Sequence, residues 1–153
     1  MIVVKDNVLP LGSVNETLCL IYDAGRSFHW ADKDKFFPFL MPLIHSASQH
    51  FDLSQATGYE WWARGNDETK DVVTKWHLDK DENLYDNTRE LRLPLCSIIY
   101  YPLAANLNHG EFLTEDIMIK PKSNRAVFMS SDTIHTFAPF TGERWSFIIN
   151  VWN

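Results

Sequence analysis

The chain is poor in cysteine: Cys19 and Cys96 are its only two, far apart and each in an apolar context. Two such residues make neither a disulfide framework nor a paired-thiolate zinc site, and the expectation is two buried thiols in a reducing cytosol. No apolar run approaches the roughly 20 residues of a membrane span. The opening MIVVKDNVLP lacks the basic-then-apolar order of a secretory leader. Basic residues are also scarce. With 14 Lys and Arg against 20 Asp and Glu, the net charge is −6, and no Lys/Arg cluster exists to displace phosphate counterions. A nucleic-acid backbone is therefore not expected as the main partner. There is no P-loop, no GxGxxG, and no Ser/His/Asp or Cys/His arrangement for nucleophilic catalysis. Repeats, low-complexity tracts and linkers are missing too. The 153 residues read as a single domain, long enough to bury a core.

What is present changes character along the chain. Residues 1–57 read mostly as helix, a support for the β-rich remainder. Ser13-Val14-Asn15-Glu16 has the form of a capping box before TLCLIYDAG, with Gly25 as the stop. A second helical stretch covers about 34–50, interrupted by Pro38 and Pro42. From Gly58 the period falls to two. YEWWARG, VVTKWHLD, LRLPLCSIIYYPL, GEFLTED, IMIKP, RAVFMSS, HTFAPF and RWSFIINVW are short β-rich segments between turn residues, including Gly65-Asn66, Asn108-His109-Gly110, Ser123-Asn124 and Thr141-Gly142. A helical start before many short strands predicts a mainly β (α+β) chain. Its expected form is an antiparallel barrel or jelly roll over 58–153, with the N-terminal helices packed on one side.

Within TKWHLDKDE, His77 and Asp79 stand two apart, so on a strand both side chains share a face. A lone H-x-D is common by chance. Its meaning comes from His135, which opens the segment HTFAPF at another strand end. Two imidazoles and one carboxylate occupy one face of an octahedron and leave the rest open, the donor set of non-haem Fe(II) oxygenases. A structural zinc site closes all four of its positions instead. Nine residues beyond His135, on the next strand across a turn at Thr141-Gly142, comes Arg144. An arginine directed into a barrel is costly unless a carboxylate meets it, and its planar fork favours two-point pairing. Ser146 shares that face and offers a hydroxyl. Tyr100 and Tyr101 lie on opposite faces of their strand, and alternation alone does not choose the inward one.

WHLD, SIIYYPL, HGEF and IKPKSNRAVFMSSDTIHTFAPFTGERWSFIINVW, in that order, resemble the Fe(II)/2-oxoglutarate dioxygenases, in particular the prolyl 4-hydroxylase-like branch. The likeness covers about 72–152, half of the chain. It implies a double-stranded β-helix, with Fe(II) held by His77, Asp79 and His135. It also implies 2-oxoglutarate as cosubstrate, its far carboxylate on Arg144 with help from Ser146 and Tyr101, and O₂ as oxidant. The activity implied is hydroxylation of a C–H bond, a prolyl residue of a peptide or protein above all, with a small molecule as the other substrate class. The alternative is a cupin-like jelly-roll binding module without turnover; a hydrolytic zinc enzyme on the same ligands is a third reading.

The chain departs from the family pattern in several places. Pro102-Leu103 stands where relatives have Leu-Asn, and His109-Gly110 replaces Gly-Gly. Thr74 occupies a position where relatives carry a tyrosine, and NDETKD makes the preceding segment longer. These differences leave the ligand set intact and bear on the substrate. His29, His45, His50 and His109 have no partner at ligand spacing. Of Trp61 and Trp62 at least one is expected to face outward. Asp81 and Glu82 read as a solvated strand end, and Arg64 and Trp152 as candidates for the lining of the barrel mouth.

Overall fold

Strand Phe140–Trp152 alternates between two different surroundings, and that alternation organises the molecule. Phe147, Ile149 and Val151 enter an apolar core, with Trp145 packed at its margin. Arg144, Ser146, Ile148 and Asn150 line a cavity on the other side. The computed structural model describes residues 1–64 and 75–153. In chain order the elements are β1 (Ile2–Asp6), α1 (Leu11–Ala24), β2 (His29–Asp32), α2 (Met41–Ser48), β3 (Gly58–Arg64), α3 (Glu82–Thr88) and β4 (Cys96–His109), then β5 (Phe112–Leu113), β6 (Met118–Ile119), β7 (Arg125–Met129), β8 (Thr136–Phe137) and β9 (Phe140–Trp152).

Six strands form one antiparallel sheet in the order β1-β7-β4-β9-β3-β2, and three short ones form a second in the order β6-β5-β8. One face of the large sheet carries the helices. Val14 and Ile21 of α1 and Leu43, Ile44 and Ala47 of α2 pack there with Tyr59, Trp61, Ile98, Tyr100, Phe128 and Phe147. Trp61 lies stacked between His29 at 4.2 Å and Phe147 at 5.1 Å, which gives His29 a packing role. The opposite face sends Ile99, Tyr101, Val127, Met129 and Ile148 against Phe112 and Ile119 of the small sheet. The chain is thus mainly β, antiparallel in every pairing among the described residues, with helices on one side. No helix among the described residues is long and apolar enough to cross a membrane.

Several sequence expectations are corrected. The capping box does not form: α1 begins at Leu11, Pro10 is its N-cap, and Val14 N–H donates to the Pro10 carbonyl at 3.0 Å. Gly25 does end it, at φ +64. The helix foreseen over 34–50 shrinks to α2 behind two 3-10 turns, Lys33–Lys35 and Pro38–Leu40. Pro38 and Pro42 each start a helical turn, where a missing N–H costs nothing. Residues 1–57 also supply β1 and β2, so that segment is not helix alone. Cys19 is exposed, on the solvent side of α1, while Cys96 is buried; both are free thiols.

Two strand expectations also change. Of VVTKWHLD, residues 72–74, and with them Thr74, NDETKD and the Gly65-Asn66 turn, lie outside the described residues. Beyond them the chain is extended and makes a single bridge, His77 to His135, rather than a strand. Thr141-Gly142 is not a turn but part of β9. The register between β4 and β9 shifts twice, between Tyr100 and Leu103 and between Ala105 and Asn108. Gly142 sits at the second shift with φ +98, where a Cβ would collide with the Asn106 carbonyl. Pro102 sits at the first, a bulge that tolerates a residue with no N–H to donate.

Candidate metal centre and cavity

His77 and His135 exchange both backbone hydrogen bonds, N–H to carbonyl at 3.0 Å each way, which sets their imidazoles 4.3 Å apart. Each Nδ1–H donates to a carbonyl two residues back, His77 to Lys75 at 2.8 Å and His135 to Thr133 at 3.0 Å. A carbonyl only accepts, so each ring carries its proton on Nδ1 and presents the Nε2 lone pair. Those Nε2 atoms lie 3.7 Å (His77) and 4.0 Å (His135) from Asp79 Oδ1. All three donor groups fall within 4.8 Å of one another. Burial holds the His135 imidazole below its ordinary range, and the Asp79 charge only partly offsets this, so the ring stays neutral near pH 7. Phe112 lies against it at 5.3 Å.

These residues fit a divalent cation. Asp79 Oδ2 is buried with no hydrogen-bond partner among the described residues, a costly state that a metal would relieve. Two imidazoles with fixed outer bonds and one carboxylate make an open three-ligand face suited to Fe(II).

Arg144, Ser146 and Tyr101 are brought to the same side of the large sheet. Arg144 is only 5% exposed. Its Nη1 donates to the Gly110 carbonyl at 2.8 Å, and the Phe140 and Phe137 rings lie 4.3 and 5.6 Å from the guanidinium carbon. Burial draws its pKa down, though the group remains charged. The structure distinguishes the two tyrosines. Tyr100 faces the helical core and donates to Asn124 Oδ1 at 3.1 Å. Tyr101 faces the small sheet, fully buried, and its hydroxyl has no partner among the described residues. Burial pushes its pKa up to about 12, with Arg144 and Arg125 pulling the other way. Gly110, at φ +85, accounts for the HGEF segment: a Cβ there would come within 3.0 Å of Phe140 and 3.4 Å of Arg144 Nη1. His109, also at positive φ, is exposed and sits 3.7 Å from Glu111.

The triad and Arg144 open into one cavity of about 470 Å³, walled also by Trp62, Arg64, Ile99, Met129, Phe137 and Ser146. A second cavity of about 340 Å³ adjoins it, sharing Phe28, Glu60 and Glu82 and adding Trp30, Arg92 and Trp152. Trp62 is the outward member of its pair, tilted on Phe28 at 4.9 Å. Sequence reasoning did not single out Glu60 or Asn150. Glu60 shares the cavity face of β3 with Trp62 and Arg64, and Asn150 is its register partner on β9. The signal was only their even spacing from residues already named. Asp81 is not a solvated strand end: its carboxylate accepts from Leu84 N–H and caps α3.

No protein-family model matches the sequence, and no curated protein matches it. Solved structures do resemble it. A prolyl-4-hydroxylase from Pseudomonas putida superposes with a TM-score of 0.70 at 15% identity, covering 99% of this chain and 84% of that one. The viral collagen prolyl hydroxylase of Paramecium bursaria Chlorella virus-1, in its 2-oxoglutarate complex, gives 0.64 at 14% identity, covering 99% and 93%. A Trichoplax adhaerens prolyl hydroxylase, bound to a peptide of hypoxia inducible factor, gives 0.62 at 15% identity, covering 99% and 83%. The fold of this chain is therefore the one these oxygenases use.

Proposed function

We propose that this protein is an Fe(II)- and 2-oxoglutarate-dependent dioxygenase that hydroxylates a C–H bond, with a prolyl residue of a peptide or protein as the first substrate class to test. The observation that carries the reading is a two-histidine, one-carboxylate face within 4.8 Å, opening into a cavity that also contains a buried arginine. Likeness in fold to prolyl hydroxylases, one with 2-oxoglutarate and one with a peptide, supports it. So does a framework of two antiparallel sheets, which we assign to the double-stranded β-helix. The free thiols favour a reducing, cytosolic setting.

His77 and His135 would each offer Nε2, and Asp79 its carboxylate, to the iron. Iron bound there would supply O₂ activation coupled to decarboxylation of 2-oxoglutarate to succinate and CO₂. The chain's own work is positional. The Lys75 and Thr133 carbonyls hold both imidazoles in the ligating tautomer. Arg144 would pair with the far carboxylate of the cosubstrate, with hydroxyls from Ser146 and Tyr101 donating to the same group. Ile99, Met129, Phe137 and Ile148, which line the cavity, would keep water from the reacting end.

The test is succinate formation from 2-oxoglutarate over a panel of proline-containing peptides, each checked for a mass gain of one oxygen. Both should occur together, and His77→Ala should reduce succinate by more than about 100-fold, beyond the usual effect of losing an outer-shell partner. Tight zinc retention with hydrolysis that ignores O₂ would overturn the reading. Saturable ligand binding with no succinate would favour the cupin-like module.

A further inference from the structure

The carboxylates around the two cavities are not equally engaged. Asp81 lies 3.6 Å from Arg92, and Glu82 lies 3.0 Å from Lys80. Asp79 belongs to the metal face. Glu60, which lines both cavities, has no cation partner among the described residues. Its hydrogen bonds come from two neutral donors, Trp152 Nε1–H at 3.3 Å and Asn150 Nδ2–H at 3.5 Å, and both reach Oε2. Oε1 receives none from the described residues. Asn150 is itself held, its Oδ1 accepting from the Ser97 hydroxyl at 2.6 Å in a buried pair, so the Glu60 head is positioned rather than loose.

The surroundings of this carboxylate are aromatic. Trp30 faces Glu60 across β2 and β3, Trp152 donates to it, and Phe28 spans both cavities. Phe28 and Trp30 are 62% and 54% exposed, although each is large and apolar. Carboxylate and π-faces converging on one trough form the chemistry that receives a cationic nitrogen. The trough's own cations are engaged elsewhere: Arg64 donates to the Ala63 and Arg26 carbonyls at 2.9 and 3.3 Å, and Arg144 to the Gly110 carbonyl at 2.8 Å. Arg92 lies over the Trp152 ring at 5.2 Å, beside Asp81, and donates to the Asn153 carbonyl, while Lys80 sits on Glu82 and Tyr85. Lys75 stands at the exposed rim.

We propose that Glu60 is a specificity-determining residue that receives the basic side chain, arginine or lysine, of a peptide substrate lying along the trough between Trp30 and the metal face. This rests on the dioxygenase reading for what happens at the metal, and adds which peptides reach it. A peptide fits better than a small metabolite because the two cavities lie side by side, sharing Phe28, Glu60 and Glu82 in their walls, and the second reaches Trp30, Arg92 and Trp152, none of which lines the cavity of the triad. The chain's net charge of −6 favours the approach of a basic partner.

The test needs no turnover. Trp30, Trp62 and Trp152 border the trough, so peptide binding is read from their fluorescence. The probes are three proline peptides of about nine residues, identical except for arginine, citrulline or glutamate two residues from the proline. The arginine peptide should bind about tenfold more tightly than the citrulline peptide, the effect of one charge-assisted pair. The glutamate peptide should bind weakest. Glu60→Gln keeps the size and the acceptor for Trp152; it should erase the arginine preference while its thermal melt shows the fold intact. Equal affinities for arginine and citrulline, a preference that survives Glu60→Gln, or no binding of the arginine peptide at millimolar concentration would each overturn the proposal. Failure of the dioxygenase reading would show separately, as wild-type protein that binds the arginine peptide yet makes no succinate.

Discussion

Tyr101 places a hydroxyl in a fully buried position with no described partner, and an unmet polar group of this kind costs about 1–3 kcal/mol. A fold keeps such a group when a ligand answers it. Tyr101→Phe should therefore move two measurements in opposite directions. Thermal stability without cosubstrate should hold or rise, and 2-oxoglutarate affinity should fall about fivefold, as for one lost neutral hydrogen bond of about 1 kcal/mol. A drop in stability with unchanged 2-oxoglutarate affinity would make Tyr101 a packing residue. Residues like this divide what the sequence could disclose. That His77 and Asp79 share a face, and Arg144 and Ser146 likewise, was legible because each pair is close in sequence and alternation sets its members on one side. Tyr101 was legible only through resemblance, since alternation leaves Tyr100 equally eligible. Glu60 was not legible, because its role depends on Asn150 and Trp152, separated from it by 90 and 92 positions, and nothing local distinguishes it from any strand glutamate.

At the scale of elements, β1 shows how a short edge strand is secured. It pairs only with β7 among the described residues, and Asp6 clamps it there: Arg125 Nε and Nη2 reach its carboxylate at 2.7 and 3.1 Å, and Lys122 at 3.0 Å. These hydrogen bonds and charges, Arg125 first, hold the Asp6 carboxyl well below the usual carboxylate range. A lowered folded-state pKa contributes stability that is complete above the unfolded value of about 3.9 and lost as pH falls toward the folded one. Asp6→Asn should thus cost about 0.5–1 kcal/mol at pH 7, since the pair is partly solvated. The gap to wild type should close as the denaturation series is taken below about pH 4. A constant gap across that range would contradict the assignment. Elements such as β1 and β2 escaped the sequence reading because IVVKD and HWAD are too short to display a period, and a sheet edge is chosen by its neighbour. α3 was hidden because Asp81 looks the same as a cap or as a solvated strand end. The β4 and β9 boundaries were misplaced at the bulges, where Pro102 and Gly142 resemble turn residues but instead mark shifts of register.

Across the whole molecule, one six-stranded sheet separates two tasks. Its helix-bearing face buries Trp61, Phe147, Ile149 and their neighbours without involving the candidate site. Its other face, with the small sheet, holds His77, Asp79, His135 and Arg144 around a cavity. That division predicts that His77 can be replaced with little damage to the apolar core, which makes the metal face testable on its own. The most direct measurement is the visible spectrum of the protein with Fe(II) under anaerobic conditions as 2-oxoglutarate is added. A weak charge-transfer band near neutral pH should appear only when both are present. Asp79→Ala should abolish it, and Arg144→Ala should require a higher 2-oxoglutarate concentration to develop it. A wild-type protein that binds Fe(II) but never shows the band, or a band that survives Asp79→Ala, would contradict an iron centre built on these three residues.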